Sequence, residues 1–283
     1  MERPRLSGME GQVTQRPAGE PGAGAGEPRR GWLAELRHRR AARALERQLA
    51  SQRDKANVIH SQQDDVAVAA RRLVHARDVR ERLERIRPVP RDARVLEVGS
   101  GPHGLIFFFG SSRGVGVDPL AAEYRPLFAG WQGRAPTIAA AGEALPFPSS
   151  VFDVVLCDNV IDHAERPAAI VAEMARVLAP GGLLYFSVNV HHPVYGVASR
   201  LHGLWNGLGL RLEIRPFADH TVHLTEDEAR RMFGPLPLRV LEEFVAREDP
   251  GPARHAGDLF KRVFFKNAAF EVIAVREPPA SPS

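Results

Sequence analysis

Short apolar runs alternate with helix-like amphipathic segments through most of this 283-residue chain beyond residue 93. The apolar runs have the length of buried strands, and the segments between them have the spacing of helices. Five such strands are predicted, over residues 94–98, 114–118, 136–140, 151–157 and 183–190. Strands that alternate with helices form a parallel sheet joined by right-handed crossovers. The pattern therefore predicts an α/β fold.

The last helix of this alternating region has recognisable ends. It is predicted over residues 167–178, with Pro167 in the first turn, where a missing N–H is tolerated. The Pro-Gly-Gly run at residues 180–182 is predicted to end the helix and to turn the chain into the fifth strand.

A further helix and two strands are predicted near the C-terminus. Thr225 and Glu228 have the spacing of a capping box, which predicts a helix that continues to about Phe233. The apolar patterns over residues 238–246 and 263–276 predict the last two strands.

Composition divides the chain into segments. Residues 1–30 are rich in Gly, Pro and Glu and predict a disordered tail, whereas residues 31–88 have the composition of a helical extension. The α/β domain is predicted over residues 89–276, with residues 191–222 as a substrate-lid insertion and residues 277–283 as a second tail. The apolar residues expected to bury the end of the extension are Val66, Leu73, Val74, Val79, Leu83 and Ile86.

The positive charge lies mainly in the first third of the chain. Residues 1–90 carry 19 Lys and Arg against 12 Asp and Glu, and the remaining residues carry 19 against 22. Such a basic surface can attract nucleic acid or anionic lipid, but a solvated, Arg-rich helix face is the favoured explanation. No apolar run reaches the ~20 residues of a membrane span, and no signal-peptide core is found. With the single Cys157 excluding an intrachain disulfide, we expect a cytoplasmic protein without a transmembrane segment.

A glycine-rich turn carries the candidate chemistry. Gly99, Gly101 and Gly104 follow the first strand, and Asp118 ends the second. Glycine lets the backbone approach a ligand closely, and a carboxylate at the end of the next strand accepts hydrogen bonds from a ribose diol. The combination predicts a nucleoside-binding site at the carboxyl edge of the sheet.

The glycine spacing also fits the dinucleotide fingerprint, so an NAD-dependent dehydrogenase is an alternative. Three features argue against it. Glu97 stands where a dinucleotide site usually has an apolar residue, about ninety residues precede the motif, and no second half of a dinucleotide fold follows.

The segments downstream of the turn follow the order of a known family. They are residues 143–148, 151–159, 163–167, 175–182 and 183–188. Together with the turn they resemble the class I S-adenosylmethionine-dependent methyltransferases, and most closely the small-molecule enzymes related to the ubiquinone and menaquinone methyltransferases. The resemblance is strong over residues 93–190 and loose over 224–276. It implies a Rossmann-like, seven-stranded sheet with helices on both faces, an antiparallel hairpin at its edge, and S-adenosyl-L-methionine as the cofactor.

The resemblance also implies which residues bind the cofactor. They are Glu97, Gly99, Gly101, Asp118, Leu120, Gly142, Glu143 and Asp158. Asp118 would accept hydrogen bonds from the ribose, and Asp158 would face the same crevice from the end of the fourth strand. Glu97 would either face the cofactor's amino group or orient the glycine turn. His103 stands where the family often has its third glycine.

The expected adenine site lacks a usual feature of the family. The family often has an acid followed by a small residue, and this chain has Ala141 and Gly142 there. Adenine would therefore contact the backbone near Gly142 and Glu143, with Leu120 and Leu145 on either side of the ring.

Histidines supply the candidate base. Methyl transfer is an in-line displacement, and an oxygen nucleophile usually needs a general base. His191 and His192 follow the fifth strand, at the edge where ligands bind, and are the preferred candidates. His163 and Asp162 come next, because the resemblance places them after the fourth strand.

A metal site is the alternative use of these histidines. Asp219, His220 and His223, together with the pair at the end of the fifth strand, are suitable ligand types. Their spacing is loop-like and provides no helical pair of ligands, so we expect no metal.

The predicted function is S-adenosylmethionine-dependent methyl transfer to a small-molecule substrate, most favourably at oxygen. A nucleic-acid methyltransferase or RNA-binding protein that uses the basic extension is an alternative, as is a cofactor-binding protein without catalysis. Residues 158–161 replace the Asn/Asp-Pro-Pro-aromatic motif of amino-methylating enzymes, so nucleic acid is not the favoured partner. The sequence leaves the acceptor and the oligomeric state open.

Overall fold

The computed structural model describes residues 46, 49–50, 53, 65–161, 164, 166–191, 224–247 and 267–278. The strands are β1 (Arg94–Val98), β2 (Arg113–Val117), β3 (Thr137–Ile138), β4 (Phe152–Asp158), β5 (Leu178–His191), β6 (Leu238–Arg247) and β7 (Asn267–Arg276). The α-helices whose bounds the structure gives are α1 (Asp65–Ile86), α2 (Ala121–Leu127), α3 (Ala129–Gln132), α4 (Pro167–Val177) and α5 (Glu226–Arg231), and a 3₁₀ turn spans Leu105–Phe107.

The strands form one seven-stranded sheet in the order β3-β2-β1-β4-β5-β7-β6. β1 to β5 are parallel, whereas β7 is antiparallel to both β5 and β6. The expected α/β fold and its antiparallel edge hairpin are confirmed. β2 lies one residue earlier and β4 one residue later than predicted, and β3 is shorter because only Thr137 and Ile138 pair with β2.

The Pro-Gly-Gly run does not separate helix from strand as predicted. α4 ends at Val177, and Leu178 already pairs with Phe152 of β4. The pairing register then shifts between Phe152 and Val154, and Gly181 adopts a φ of +73°. Bulged strands tolerate proline and glycine, because part of the ladder is already interrupted there. β5 therefore begins five residues before its predicted start at Leu183.

Helices cover both faces of the sheet. On one face, α4 and α5 bury apolar side chains against the central strands, including Ile170, Met174, Leu96, Val155, Leu184 and Phe186. On the other face, α1 and the 3₁₀ turn pack on the same strands, through Ala76, Val79, Leu83, Leu105, Val95, Leu156 and Tyr185. Cys157 is buried within the first of these layers and forms no disulfide bond.

The buried face of α1 differs from the predicted stripe. Ala76, Val79 and Leu83 are fully buried, whereas Val66 and Val74 are 77% and 67% exposed. Toward the N-terminus, the buried face continues at helical spacing through polar residues. The two valines do not lie on that face. The prediction is confirmed at Val79 and Leu83 and is wrong at Val66 and Val74, because it followed apolar residues alone.

The capping box before α5 is confirmed. The Thr225 hydroxyl accepts from the Glu228 amide (3.2 Å), and the Glu228 carboxylate accepts from the Thr225 amide (2.9 Å). The helix ends at Arg231, two residues before the predicted Phe233.

The predictions for residues 1–30, for most of 31–64, for 192–222 and for 279–283 lie outside the described residues. In the part of the chain that is described, none of the helices combines the length and hydrophobicity of a membrane span.

Candidate functional site

The glycine-rich turn after β1 has the backbone conformation that requires glycine. Gly99 and Gly101 have φ values of +74° and +51°. A Cβ at Gly99 would lie 2.1 Å from a methyl group of Val160, whereas one at Gly101 would meet no atom within 4 Å. Gly99 therefore allows close packing, and Gly101 leaves open space in front of the turn.

Glu97 organises this turn from below. It is 1% exposed, and its carboxylate accepts hydrogen bonds from the amides of Leu105 (2.9 Å) and Ile106 (2.8 Å). A Cβ at Gly104 would lie 2.4 Å from Glu97 Oε2, so the third glycine makes room for the carboxylate. Burial raises the pKa of Glu97 to about 8, although the two amide donors oppose the shift. Of the two roles expected for Glu97, this geometry favours orienting the turn.

Asp118 follows β2 and faces the turn. Its carboxylate accepts from the amides of Gly101 (3.0 Å) and Leu120 (2.8 Å), and the residue is 5% exposed. Burial raises the pKa of Asp118 above its ordinary value, although the two amide donors oppose the shift. The amides fix the carboxylate beside the opening at Gly101, where its remaining lone pairs can accept from a ligand.

A cavity of about 620 Å³ opens at this carboxyl edge of the sheet. We call it the carboxyl-edge cavity. Its lining joins the glycine turn, Asp118 and Asp158 to side chains of α1, and includes Glu97, Gly99, Gly101, Asp118, Asp158, Arg72 and His75. Five of the eight residues predicted to bind a cofactor thus lie around one cavity.

The other three predicted cofactor residues lie near the cavity but do not line it. Leu120 packs in an aromatic cluster with Tyr124, Phe128 and Trp131. A Cβ at Gly142 would lie 3.0 Å from a Val98 methyl group and 3.2 Å from Ile170 Cδ1, so this glycine lies against the core. The Glu143 carboxylate accepts from the amide of Arg166 (3.4 Å). Their roles toward adenine stay predictions.

Asp158, the last residue of β4, is bound by two basic side chains of α1, those of Arg72 and His75. Arg72 Nη1 lies 3.1 Å from Asp158 Oδ2, and His75 Nε2 lies 3.2 Å from Oδ1. The Ser187 hydroxyl of β5 donates to the same Oδ1 (2.7 Å). Burial opposes ionisation, yet the bonds from His75 and Ser187 and the charge of Arg72 hold the pKa of Asp158 below its ordinary value.

His75 carries the reciprocal shift. The hydrogen bond to Asp158 raises the pKa of the imidazole, while burial and the charge of Arg72 lower it in part. Its ring also lies edge-on to Tyr185 of β5, with the ring centroids 6.3 Å apart. Burial raises the pKa of the Tyr185 hydroxyl far above its ordinary value.

The interpretation of the sequence missed Arg72 and His75. Both precede the buried residues Ala76, Val79 and Leu83 at helical spacing, so they continue the buried face of α1 toward the site. Extending that face by one turn would have pointed to both residues, whereas a search for apolar residues passes over them.

The predicted catalytic residues are only partly placed. His191 is the last residue of β5, with its backbone paired to Asn267 of β7. It stands four residues beyond Ser187, which is about 13 Å further along the strand. The side chain of His191 and all of His192, His163 and Asp162 lie outside the described residues, as do Asp219, His220 and His223.

Residues 96–186 match the family model described as a methyltransferase domain. The matched segment makes up about a third of the chain, so the likeness to a methyltransferase domain is that of these residues. An uncharacterized methyltransferase of Mycobacterium tuberculosis is 39% identical to the chain over 102 residues, which make up 34% of this chain and 39% of that relative. The chain thus spans about two fifths of the length of the curated relatives that it matches.

Solved structures share the fold of the methyltransferase domain. The YcgJ protein from Bacillus subtilis superposes with a TM-score of 0.53 at 17% identity, covering 72% of this chain and 99% of that one. A geranyl diphosphate methyltransferase in complex with SAM has a TM-score of 0.51 at 16% identity, covering 72% of this chain and 78% of that one. At such identities the likeness shows the fold alone.

Proposed function

We propose that this chain binds S-adenosyl-L-methionine in the carboxyl-edge cavity and transfers its methyl group to a small-molecule acceptor, most favourably at oxygen. The main support for the proposal is that Gly101 and the Asp118 carboxylate lie next to each other at the opening of the cavity. The turn leaves open space in front of Gly101, and the Asp118 carboxylate is fixed beside it. The Asp118 carboxylate can accept hydrogen bonds from a ribose diol. Such a contact agrees with the match to a methyltransferase domain.

The residues of the chain have separate tasks in this proposal. Bound S-adenosylmethionine supplies a methyl group on a sulfonium leaving group, so the protein has to align and activate the acceptor. Asp118 accepts from the ribose hydroxyls, and Gly99 and Gly101 keep the turn close to the ligand. Gly142 and Glu143 offer backbone groups to adenine, beside Leu120.

A small-molecule acceptor agrees with the dimensions of the site. The cavity volume of about 620 Å³ lies within the ~300–1,000 Å³ typical of small-molecule pockets. α1 covers the cavity from one side, through Arg72 and His75. A cavity of this size, covered by α1 on one side, suits a cofactor and a compact acceptor.

Transfer to oxygen requires a proton acceptor. We propose His191 or His192 for this task, because both follow β5 at the carboxyl edge of the sheet, with His163 and Asp162 as the next candidates.

Calorimetry with S-adenosylhomocysteine tests the cofactor assignment. Asp118→Ala removes both ribose acceptors, and charged hydrogen bonds of ~1.5–3 kcal/mol each predict at least tenfold weaker binding. The matched control is Asp153→Ala, which removes an aspartate at the opposite end of β4 that is paired with Arg94. Unchanged affinity in Asp118→Ala, or equal binding of NADH by the wild type, would contradict the proposal. Mass spectrometry of metabolites from a host with and without the gene then identifies the methylated product.

A further inference from the structure

We propose that Gln132, the last residue of α3, is a positioning residue that holds the glycine turn in its ligand-binding conformation. Gln132 is buried, with 5% of its surface exposed, and it is not among the residues that line the carboxyl-edge cavity. It therefore acts on the ligand through the turn rather than by contact. The inference rests on the proposed function, because the turn is part of the site assigned to S-adenosylmethionine.

The backbone amides of the turn bond to the end of β2. Those of Gly99 (2.7 Å) and Ser100 (3.1 Å) donate to the last carbonyl of β2. The amide of Gly101 donates to the Asp118 carboxylate (3.0 Å). This series of donors stops at Pro102, because proline has no amide hydrogen. Hydrogen bonds can therefore fix the peptide group between Gly101 and Pro102 only through its carbonyl oxygen.

Gln132 supplies the donor for that carbonyl. Its Nε2 lies 3.0 Å from the Gly101 oxygen and 3.3 Å from the Pro102 oxygen. Because a carbonyl can only accept, the two oxygens require the amino group of the side chain on their side. At the other end, Oε1 accepts from the Thr137 hydroxyl of β3 (3.4 Å). β3 thus orients the Gln132 side chain, and Gln132 orients the turn.

Gly101 depends on these bonds because nothing else restricts its backbone. Glycine has no Cβ, so a wide range of φ and ψ angles is open to it. Gly101 has a φ of +51°, and a Cβ there would meet no atom within 4 Å, so close packing does not hold it. Its conformation is therefore set by the bonds at its two backbone groups, from the amide to Asp118 and from Gln132 to the carbonyl.

Loss of the Gln132 donor weakens binding without removing a ligand contact. The released carbonyl can rotate, and the turn then spends part of its time in conformations that do not fit the ligand. Ligand binds only the competent fraction of molecules, so the apparent dissociation constant rises as that fraction falls. A single side-chain hydrogen bond changes such a conformational equilibrium by roughly two- to tenfold.

Two measurements on the full-length chain test the inference. Hydrogen exchange of the Gly101 amide, followed by NMR without ligand, reports how firmly the turn is held. Calorimetry gives the dissociation constant of S-adenosylhomocysteine, and the stoichiometry counts the folded molecules. Gln132→Met removes the donor at similar size. Ser111→Ala is the matched control, because it removes a side-chain donor from the Ala93 carbonyl just before β1 (2.6 Å).

The variants have different expected results. Gln132→Met should speed exchange at Gly101 and weaken S-adenosylhomocysteine binding by about five- to tenfold. Ser111→Ala should leave both values within about twofold of wild type, because it lies outside the hydrogen bonds of the turn.

Gln132→Glu adds a readout that a packing role does not move. A protonated carboxyl group can donate to the Gly101 carbonyl, whereas an ionised one cannot. The affinity of Gln132→Glu, taken as a ratio to wild type, should be near normal at pH 5 and should fall toward pH 9. The ratio cancels the titration of groups that both proteins share. At pH 5 this variant keeps the donor, so it also tests the bond should Gln132→Met fail to fold.

Two results overturn the inference. One is an unchanged S-adenosylhomocysteine affinity in Gln132→Met. The other is a loss of affinity in Gln132→Glu that is the same from pH 5 to pH 9. Failure of the proposed function looks different, because the wild type then does not bind S-adenosylhomocysteine, while exchange at Gly101 still reports whether Gln132 holds the turn.

Discussion

Replacing Glu97 by glutamine should remove a large pH dependence of stability. Glu97 is fully buried, and burial raises the pKa of its carboxyl group from 4.5 to about 8. A carboxyl group whose pKa is raised by folding stabilises the protein fully below its unfolded-state pKa. That stability is lost as the pH rises through the folded-state pKa. For Glu97 the loss therefore falls between about pH 4.5 and pH 8.

The magnitude follows from the two pKa values. Each pKa unit corresponds to about 1.36 kcal/mol, so the difference between 4.5 and about 8 amounts to roughly 5 kcal/mol. Most of this range, on the order of 4 kcal/mol, lies between pH 5 and pH 9. Glutamine keeps the size of the side chain but does not titrate, and it loses one of the two acceptors for the Leu105 and Ile106 amides. Glu97→Gln should therefore be less stable than wild type at pH 5, with the deficit shrinking or reversing at pH 9.

Urea unfolding monitored from pH 5 to pH 9 measures this difference. Glu173→Gln is the control that should leave the slope between pH 5 and pH 9 unchanged, because its hydrogen bond to Arg176 holds the pKa of Glu173 below its ordinary value. The stability that Glu173 contributes is present above pH 4.5 and is lost as the pH falls. If wild type and Glu97→Gln show parallel pH profiles, Glu97 is ionised in the native state. In that case the two amide donors outweigh burial, and our reasoning about the turn is wrong.

Two further predictions concern the same region. Gly104→Ala keeps an allowed backbone conformation, because φ is −58°, but its methyl group would overlap the Glu97 carboxylate. If Glu97 loses its two hydrogen bonds from backbone amides, the free energy of unfolding in urea should fall by about 2–3 kcal/mol. Gly133→Ala should lower the free energy of unfolding much less, because the atom nearest to its new methyl group would be 3.4 Å away. Equal losses of stability in the two alanine variants would contradict the steric explanation. The His75 imidazole should titrate above pH 6.5 by NMR, and Asp158→Asn should lower that value while Asp153→Asn does not. The other charged groups that act on His75 are Arg72 and Glu271, and both remain in these variants. If the pKa of His75 is unchanged in Asp158→Asn, the hydrogen bond between His75 and Asp158 is excluded as its cause.

Local signals predicted the parts of the fold that depend on neighbouring residues. The hydrogen bonds of Glu97 within the glycine turn and the capping box of α5 join residues at most nine apart, and both motifs are found where predicted. The start of β5 was misjudged because Leu178 pairs with Phe152, and that pairing outweighs the preference of the following proline and glycines for a turn. No local pattern contains that information.

The site residues that follow the strands could be predicted from the sequence, whereas those of α1 could not. Asp118 and Asp158 follow from their places at the ends of strands, since parallel strands end at one edge. Arg72 and His75 meet Asp158 across 86 and 83 residues of chain, and the rotation of α1 about its axis decides which side chains face the cavity. That rotation is set by packing on β4, β5 and β7, which a single sequence does not reveal.

The position of α1 before β1 in the chain has a consequence for synthesis. α1 is made first, yet Arg82 forms its ion pair (2.5 Å) with Glu271 of β7, 189 residues later. At ~5–20 residues per second, the ribosome needs about 10–40 s to produce that partner. During this interval Ala76, Val79 and Leu83 can pack on β1, β4 and β5, which are made earlier. The ion pair that joins α1 to the edge hairpin forms last, whereas the residues that line the cavity end at Val160.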